Sequence, residues 1–240
     1  MRWPEIDPKR LARHRADGHW RDDTIPALVA ARAAATPEKL AVRDASGAAL
    51  TYAEMMDLSA RLAGFLAAHG VGAGDVVTTC LPNRVETVAI FLATLRLGAV
   101  VNPVPVTYAR AELTYVLGKC DSRVLVVQGR FRSSDFTRVV AEMAPETLAG
   151  RTVLRLGAGD VDVGIAWEEA TAHAPIAADA PCRATDPVAV LFTSGTESRA
   201  KGAVHTHDTI LFGERALAGA LHLGADDVAF MASPISHTTG

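Results

Sequence analysis

Apolar and polar positions along this chain switch repeatedly between a period near 3.6 and short β-prone runs, and the switches set out an alternation of helices and strands. An alanine-rich helix is predicted over residues 25–35, stopped by Thr36-Pro37. Leu40 to Arg43 and Ala48 to Leu50 then flank a turn at Ala45-Ser46-Gly47, the pattern of a hairpin. Thr51 and Glu54 stand at capping-box spacing ahead of Leu58, Leu62, Phe65 and Leu66, which share one face of a helix that Gly70 ends. Asp75 to Cys80 read as a strand. Asn83 with Glu86 is expected to cap the next helix, whose buried stripe is Val85, Val88, Leu92 and Leu95. A strand at 99–101, a helix at 110–117 and a strand at 123–127 continue the order. This is an α/β pattern, and it implies largely parallel sheets flanked by helices.

Residues 129–182 alternate less clearly, with a helix near 135–143, a strand at 152–154 and an Ala/Pro-rich connection over 173–187. That connection suggests three parts: an N-terminal arm over 1–24 with one short helix near 8–16, a first α/β subdomain over 25–182, and the start of a second over 183–240. In the last part, two β-prone runs, Pro187 to Phe192 and Ala203 to Thr206, enclose a loop. Asp208 is expected to cap a helix ending at Leu221 or His222, and Asp227 to Met231 reads as another buried strand. Gly70-Val71-Gly72-Ala73-Gly74 follows a helix and precedes a strand, the reverse of a dinucleotide-binding turn, so it reads as a plain connection.

The loop between the two runs carries the candidate chemistry. Thr193, Ser194 and Thr196 offer hydroxyls, Gly195 lets backbone amides approach an anion, and Lys201 supplies a point charge. A polyphosphate suits that set. A Walker loop is excluded, because Lys201 lies between Ala200 and Gly202. Composition alone leaves an ordinary hairpin turn equally open. His205 and His207, two apart, would share one face of a strand, but without a third ligand they assign no metal site.

With 240 residues, 49% apolar and 21% charged, the chain can bury a large core, and its net charge of −3 argues against a nucleic-acid partner. The N-terminus lacks the layout of a secretion signal, and the apolar stretch from Val85 to Leu97 is too short to span a bilayer. Cys80, Cys120 and Cys182 are odd in number and without metal-ligand spacing, which fits a reducing cytoplasm.

Thr193-Ser194-Gly195-Thr196, followed after three residues by Ala200-Lys201-Gly202, resembles the phosphate loop of the adenylate-forming superfamily, in its acyl-CoA synthetase branch. The usual loop reads Thr-Ser-Gly-Thr-Thr-Gly, any residue, Pro-Lys-Gly. This chain departs from it at Glu197, Ser198 and Ala200, a variant similar to one subset of CoA ligases. Leu50-Thr51-Tyr52-Ala53-Glu54, Gly74-Asp75-Val76-Val77 and Leu97 to Pro103 are similar to earlier motifs of the same superfamily, in the same order. Asn102-Pro103 leans toward the CoA-ligase branch.

The resemblance implies the N-terminal part of the large domain of an adenylate-forming enzyme. It implies two steps, formation of an acyl-adenylate from ATP and a carboxylic acid, then of a CoA thioester, with ATP, Mg²⁺ and CoA taking part. Thr193, Ser194, Gly195, Thr196 and Lys201 would bind the phosphates, and His237 would border the acyl group. The adenine-contacting segment, the ribose-binding aspartate and the mobile C-terminal domain have no counterpart in these residues, so a portion inactive alone is expected. A non-catalytic or split subunit is the other reading, with a homodimer or a complementing C-terminal chain as partner arrangements.

Overall fold

The computed structural model describes residues 3–193 and 200–237. Helix α1 (Pro8–Ala16) lies in the arm, and α2 (Ile25–Ala35) leads into a hairpin of β1 (Leu40–Arg43) and β2 (Ala49–Thr51). The central elements are α3 (Tyr52–Ala68), β3 (Val76–Cys80), α4 (Val85–Arg96), β4 (Val100–Pro103), α5 (Arg110–Cys120) and β5 (Val124–Gln128). A small hairpin, β6 (Arg130–Phe131) and β7 (Ser134–Asp135), precedes α6 (Phe136–Ala141), α7 (Pro145–Leu148), β8 (Thr152–Leu156), β9 (Ile165–Ala166) and α8 (Trp167–Thr171). The described chain then forms β10 (Pro187–Phe192), β11 (Gly202–Thr206) and α9 (His207–Ala220).

Among the described residues one sheet of seven strands runs in the order β11-β10-β4-β3-β5-β8-β9. Every pair in it is parallel except β10 with β11. Helices cover both faces, so β3 and β5 are buried along their whole length. The strand period then sorts side chains between two cores. Val124 and Val126 of β5 pack with Leu62, Phe65 and Leu66 of α3 and with Ala89, Ile90 and Ala93 of α4. Leu125 and Val127 pack with Leu113, Val116 and Leu117 of α5 and with Phe136 and Val140 of α6.

Local signals hold where the partner is near in sequence. The Thr51 hydroxyl accepts the Glu54 amide at 3.2 Å, and the Glu54 carboxylate accepts the Thr51 amide at 2.8 Å, the reciprocal box expected for α3. Beyond the 173–187 connection, where the sequence suggests a change of subdomain, β10 pairs with β4 at Ala189 and Val101 in the same sheet. The connection itself is tied down by Arg96, which is 8% exposed. Its guanidinium donates to Asp179 at 2.6 Å, to the Met56 carbonyl at 2.8 Å and to the Ser59 hydroxyl at 2.9 Å.

Three local expectations are corrected. The cap of α4 is not Asn83: Arg84 is the N-cap residue, the Val85 amide donates to Asp44 Oδ2 at 3.2 Å, and Glu86 pairs with Arg84 at 2.9 Å. Asp208 does not cap α9, because Thr206 holds that position and its hydroxyl accepts the Thr209 amide at 3.3 Å. Residues 227–231 form no buried strand. A strand exists by pairing, and among the described residues this run pairs with none, leaving Val228 87% and Phe230 91% exposed.

Arg96 carries a fold-stability prediction. Asp179→Ala leaves its buried charge without a counter-ion and is expected to cost about 2–3 kcal/mol in urea unfolding. The exposed Asp57–Arg61 pair, at 2.9 Å, is the control, and Asp57→Ala is expected to cost under about 0.5 kcal/mol.

Candidate functional site

In an open parallel sheet the carboxyl ends of the strands face one edge, and the loops leaving them form the crevice where ligands bind. Because β10 runs parallel to β4 and β4 to β3, Thr193, Val104 and the Leu81-Pro82-Asn83 turn all leave by that edge. The antiparallel β11 brings Lys201 back to the same place. The Thr193 amide donates to the Lys201 carbonyl at 3.0 Å, and the Thr193 hydroxyl reaches the same oxygen at 3.4 Å. Both residues are exposed, and among the described residues no carboxylate lies within 4.0 Å of the Lys201 ammonium.

The mouth of this hairpin is closely fitted. Gly202 sits opposite Phe192, and a Cβ there would meet Val190 Cγ1 at 2.8 Å, so a larger residue would force Val190 or the strand to shift. From α5, the Tyr115 hydroxyl donates to the Ala200 carbonyl at 3.0 Å. Its ring stands edge-on to Phe192 with centroids 6.3 Å apart. Tyr115 therefore grips the chain on both sides of the loop, a role that no local pattern in its own helix could reveal. Ser194, Gly195 and Thr196, predicted as phosphate-binding, lie outside the described residues.

His237 is exposed, and its amide donates to the Pro234 carbonyl at 2.9 Å. The segment that carries it is held by Asn83. The Asn83 Nδ2 donates to the Ser233 carbonyl at 2.8 Å, and its Oδ1 accepts the Ile235 amide at 2.8 Å. The segment bearing His237 is thereby fastened at the end of β3, on the same edge as Thr193 and Lys201.

His205 lies in β11, whereas His207 opens α9 and is 2% exposed, so the two do not share a strand face. The Ile25 amide donates to His207 Nδ1 at 3.1 Å, which requires an unprotonated nitrogen there. Burial pushes the His207 pKa down from 6.5 to about 4, against a smaller upward pull from Asp186. Burial also pushes the neighbouring Asp208 carboxyl up. That residue is 1% exposed; the Arg15 and Arg215 guanidinium groups and the Arg21 backbone amide favour its charged form, and the Asp22 carboxylate opposes it. Around it the arm docks against α9. Trp20 is buried and stacks with His14 at 4.6 Å, His19 meets the Phe212 ring at 4.9 Å, and Arg215 pairs with Asp23. A separate shallow groove of about 480 Å³, lined by Arg110, Thr114, Glu142 and Thr147 among others, includes none of the predicted residues.

Comparison with known proteins adds an independent line. Residues 29–240 match the family described as AMP-binding enzyme. The chain is 31% identical to the medium-chain fatty-acid–CoA ligase of Escherichia coli K12, with 98% of this chain and 42% of that protein aligned. It is 30% identical to the salicyl-AMP ligase / salicyl-S-ArCP synthetase of Mycobacterium tuberculosis, with 95% and 41% aligned. It therefore spans about two fifths of the length of these relatives. Among solved structures, apo MbtA of Mycobacterium smegmatis superposes with a TM-score of 0.83 at 28% identity, covering 98% of this chain and 44% of that one. ATP-bound MatB of Rhodopseudomonas palustris gives 0.76 at 30% identity, covering 91% and 41%.

His207 generates a pH prediction for this region. The unfolded chain takes up the proton near pH 6.5 and the folded chain only near 4, so stability is full above 6.5 and falls as pH drops between these values. The loss is expected to reach roughly 3 kcal/mol at full extent. His207→Asn can still accept the Ile25 amide, and is expected to flatten this part of the stability–pH profile measured by urea unfolding.

Proposed function

Because the chain belongs to the family of AMP-binding enzymes, we propose that it is the N-terminal portion of an ATP-dependent carboxylic acid–CoA ligase. In the first step a substrate carboxylate oxygen attacks the α-phosphorus of ATP, forming the acyl–phosphate bond and expelling pyrophosphate. In the second, the CoA sulfur attacks the acyl carbon, the acyl–oxygen bond breaks, AMP leaves and the thiol proton passes to solvent. The reading rests above all on one observation. Thr193 and Lys201 face each other at the mouth of the β10–β11 hairpin, on the edge where Asn83 also fastens the segment bearing His237.

In this reading the hairpin loop, with Thr193, Ser194, Gly195, Thr196 and Lys201, holds the triphosphate and Lys201 offsets charge as pyrophosphate departs. His237 borders the acyl group. Magnesium, when bound, would share that neutralisation. Among the described residues no group of three His, Cys, Asp or Glu could hold a metal ion. A medium-chain or alicyclic acid is the favoured substrate class, from the resemblance of residues 15–20 and 233–240 to ligases for such acids. Thr238, where ligases for dihydroxybenzoate carry asparagine, disfavours that acid.

A second reading, a non-catalytic subunit that keeps the fold and docks on a partner chain, draws on the exposed Val228 and Phe230, at 87% and 91%. Among the described residues no helix is long and apolar enough to cross a membrane.

The test is binding and turnover together. The isolated chain is expected to release no AMP or pyrophosphate above background with a panel of carboxylic acids. Lys201→Ala is expected to weaken ATP binding roughly 10-fold, the loss of one charge-assisted contact. Robust turnover by the isolated chain, or unchanged ATP binding in Lys201→Ala, would contradict the proposal.

A further inference from the structure

The β3–α4 turn shows an allocation of hydrogen bonds that capping alone does not require. Asparagine just before a helix would ordinarily spend its side-chain oxygen on the first-turn amides. Here Asp44, reaching from the β1–β2 turn, takes the Val85 amide at 3.2 Å. The Thr87 hydroxyl fixes the Pro82 carbonyl at 2.7 Å, and Arg84 engages Glu86 at 3.1 and 2.9 Å. The turn is braced on both sides of Asn83, and the Asn83 amide is released from local duty. It is used 150 residues away, on Ser233 and Ile235.

Among uncharged side chains of this length, a carboxamide can donate and accept side by side, as two backbone groups on an irregular segment demand. Residues 233–237 belong to no helix or strand, so no ladder of backbone bonds sets their place. We propose that Asn83 is a positioning residue for the substrate wall of the site: its amide fixes residues 233–237, and with them His237, at the carboxyl end of β3. This rests on the reading that His237 borders the acyl group. The geometry that would orient the acid is thus set from the β3–α4 turn, on the opposite side of β4 from the phosphate hairpin.

The experiment uses the whole 240-residue chain. In Asn83→Ala the Ile235 amide is expected to exchange with solvent at least about 10-fold faster, and the His237 ring resonances to move toward random-coil positions, while the amides of Ala89 and Ile90 in α4 keep their protection. Asn83→Asp keeps an acceptor and loses the donor, so Ile235 is expected to stay protected. Binding supplies the readout that mere destabilisation would not give. Affinity for decanoyl-sulfamoyladenosine, a non-hydrolysable acyl-adenylate mimic, is expected to fall about 10-fold in Asn83→Ala, with ATP affinity kept within about 2-fold. Unchanged Ile235 exchange, or an equal loss of mimic and ATP binding, overturns the positioning role. If the mimic leaves the His237 resonances of the unmutated chain unmoved, the reading of His237 fails instead, and the substrate role assigned to Asn83 fails with it.

Discussion

The parallel pairing of β10 with β4 is the constraint on which the rest depends. It is thin, registered at Ala189 and Val101, yet it fixes the direction in which β10 leaves the sheet. Were β10 antiparallel to β4, Thr193 and Lys201 would emerge at the amino ends of the strands, remote from Asn83. As built, the buried apolar clusters hold β3, β4 and β5 in place, and the edge where their carboxyl ends meet gathers the hairpin mouth, the β3–α4 turn and the 233–237 segment. The scaffold is apolar and the edge is polar. That division lets the chemistry vary without disturbing the core.

Much of the scaffold could be read from sequence because its causes are local. The Thr51–Glu54 box joins residues three apart, and the periodic stripe of α3 needs only its own side chains to be visible. The hairpin around the candidate loop was legible for the same reason, its strands being separated by a short polar stretch. The expected phosphate-binding set was legible only as a list of residue types, and Tyr115 was not legible at all. Its contact with Ala200 joins residues 85 apart and depends on α5 packing against Phe192 and Val190 of β10.

The two expected caps that the structure does not use share one physical cause. Asn83 and Asp208 are both good capping types, and each stands beside a helix start, but a distant or neighbouring group supplies the cap. Asp44 serves α4 and Thr206 serves α9. Once displaced from capping, Asn83 ties down the 233–237 segment and Asp208 is buried where the arm meets α9. The apolar run at 227–231 fails differently. Its composition suits a strand, but composition supplies no neighbouring strand to pair with.

The central claim is that one edge of the sheet is the nucleotide and acyl face. The most direct measurement is an NMR titration of the isotope-labelled chain with ATP. The account predicts that amide shifts concentrate at Thr193, Lys201 and Gly202 and reach the Asn83-held segment, while residues 110–114 and 142–147 around the separate groove stay unmoved. Shifts confined to that groove, with Lys201 and its neighbours unaffected, would contradict it.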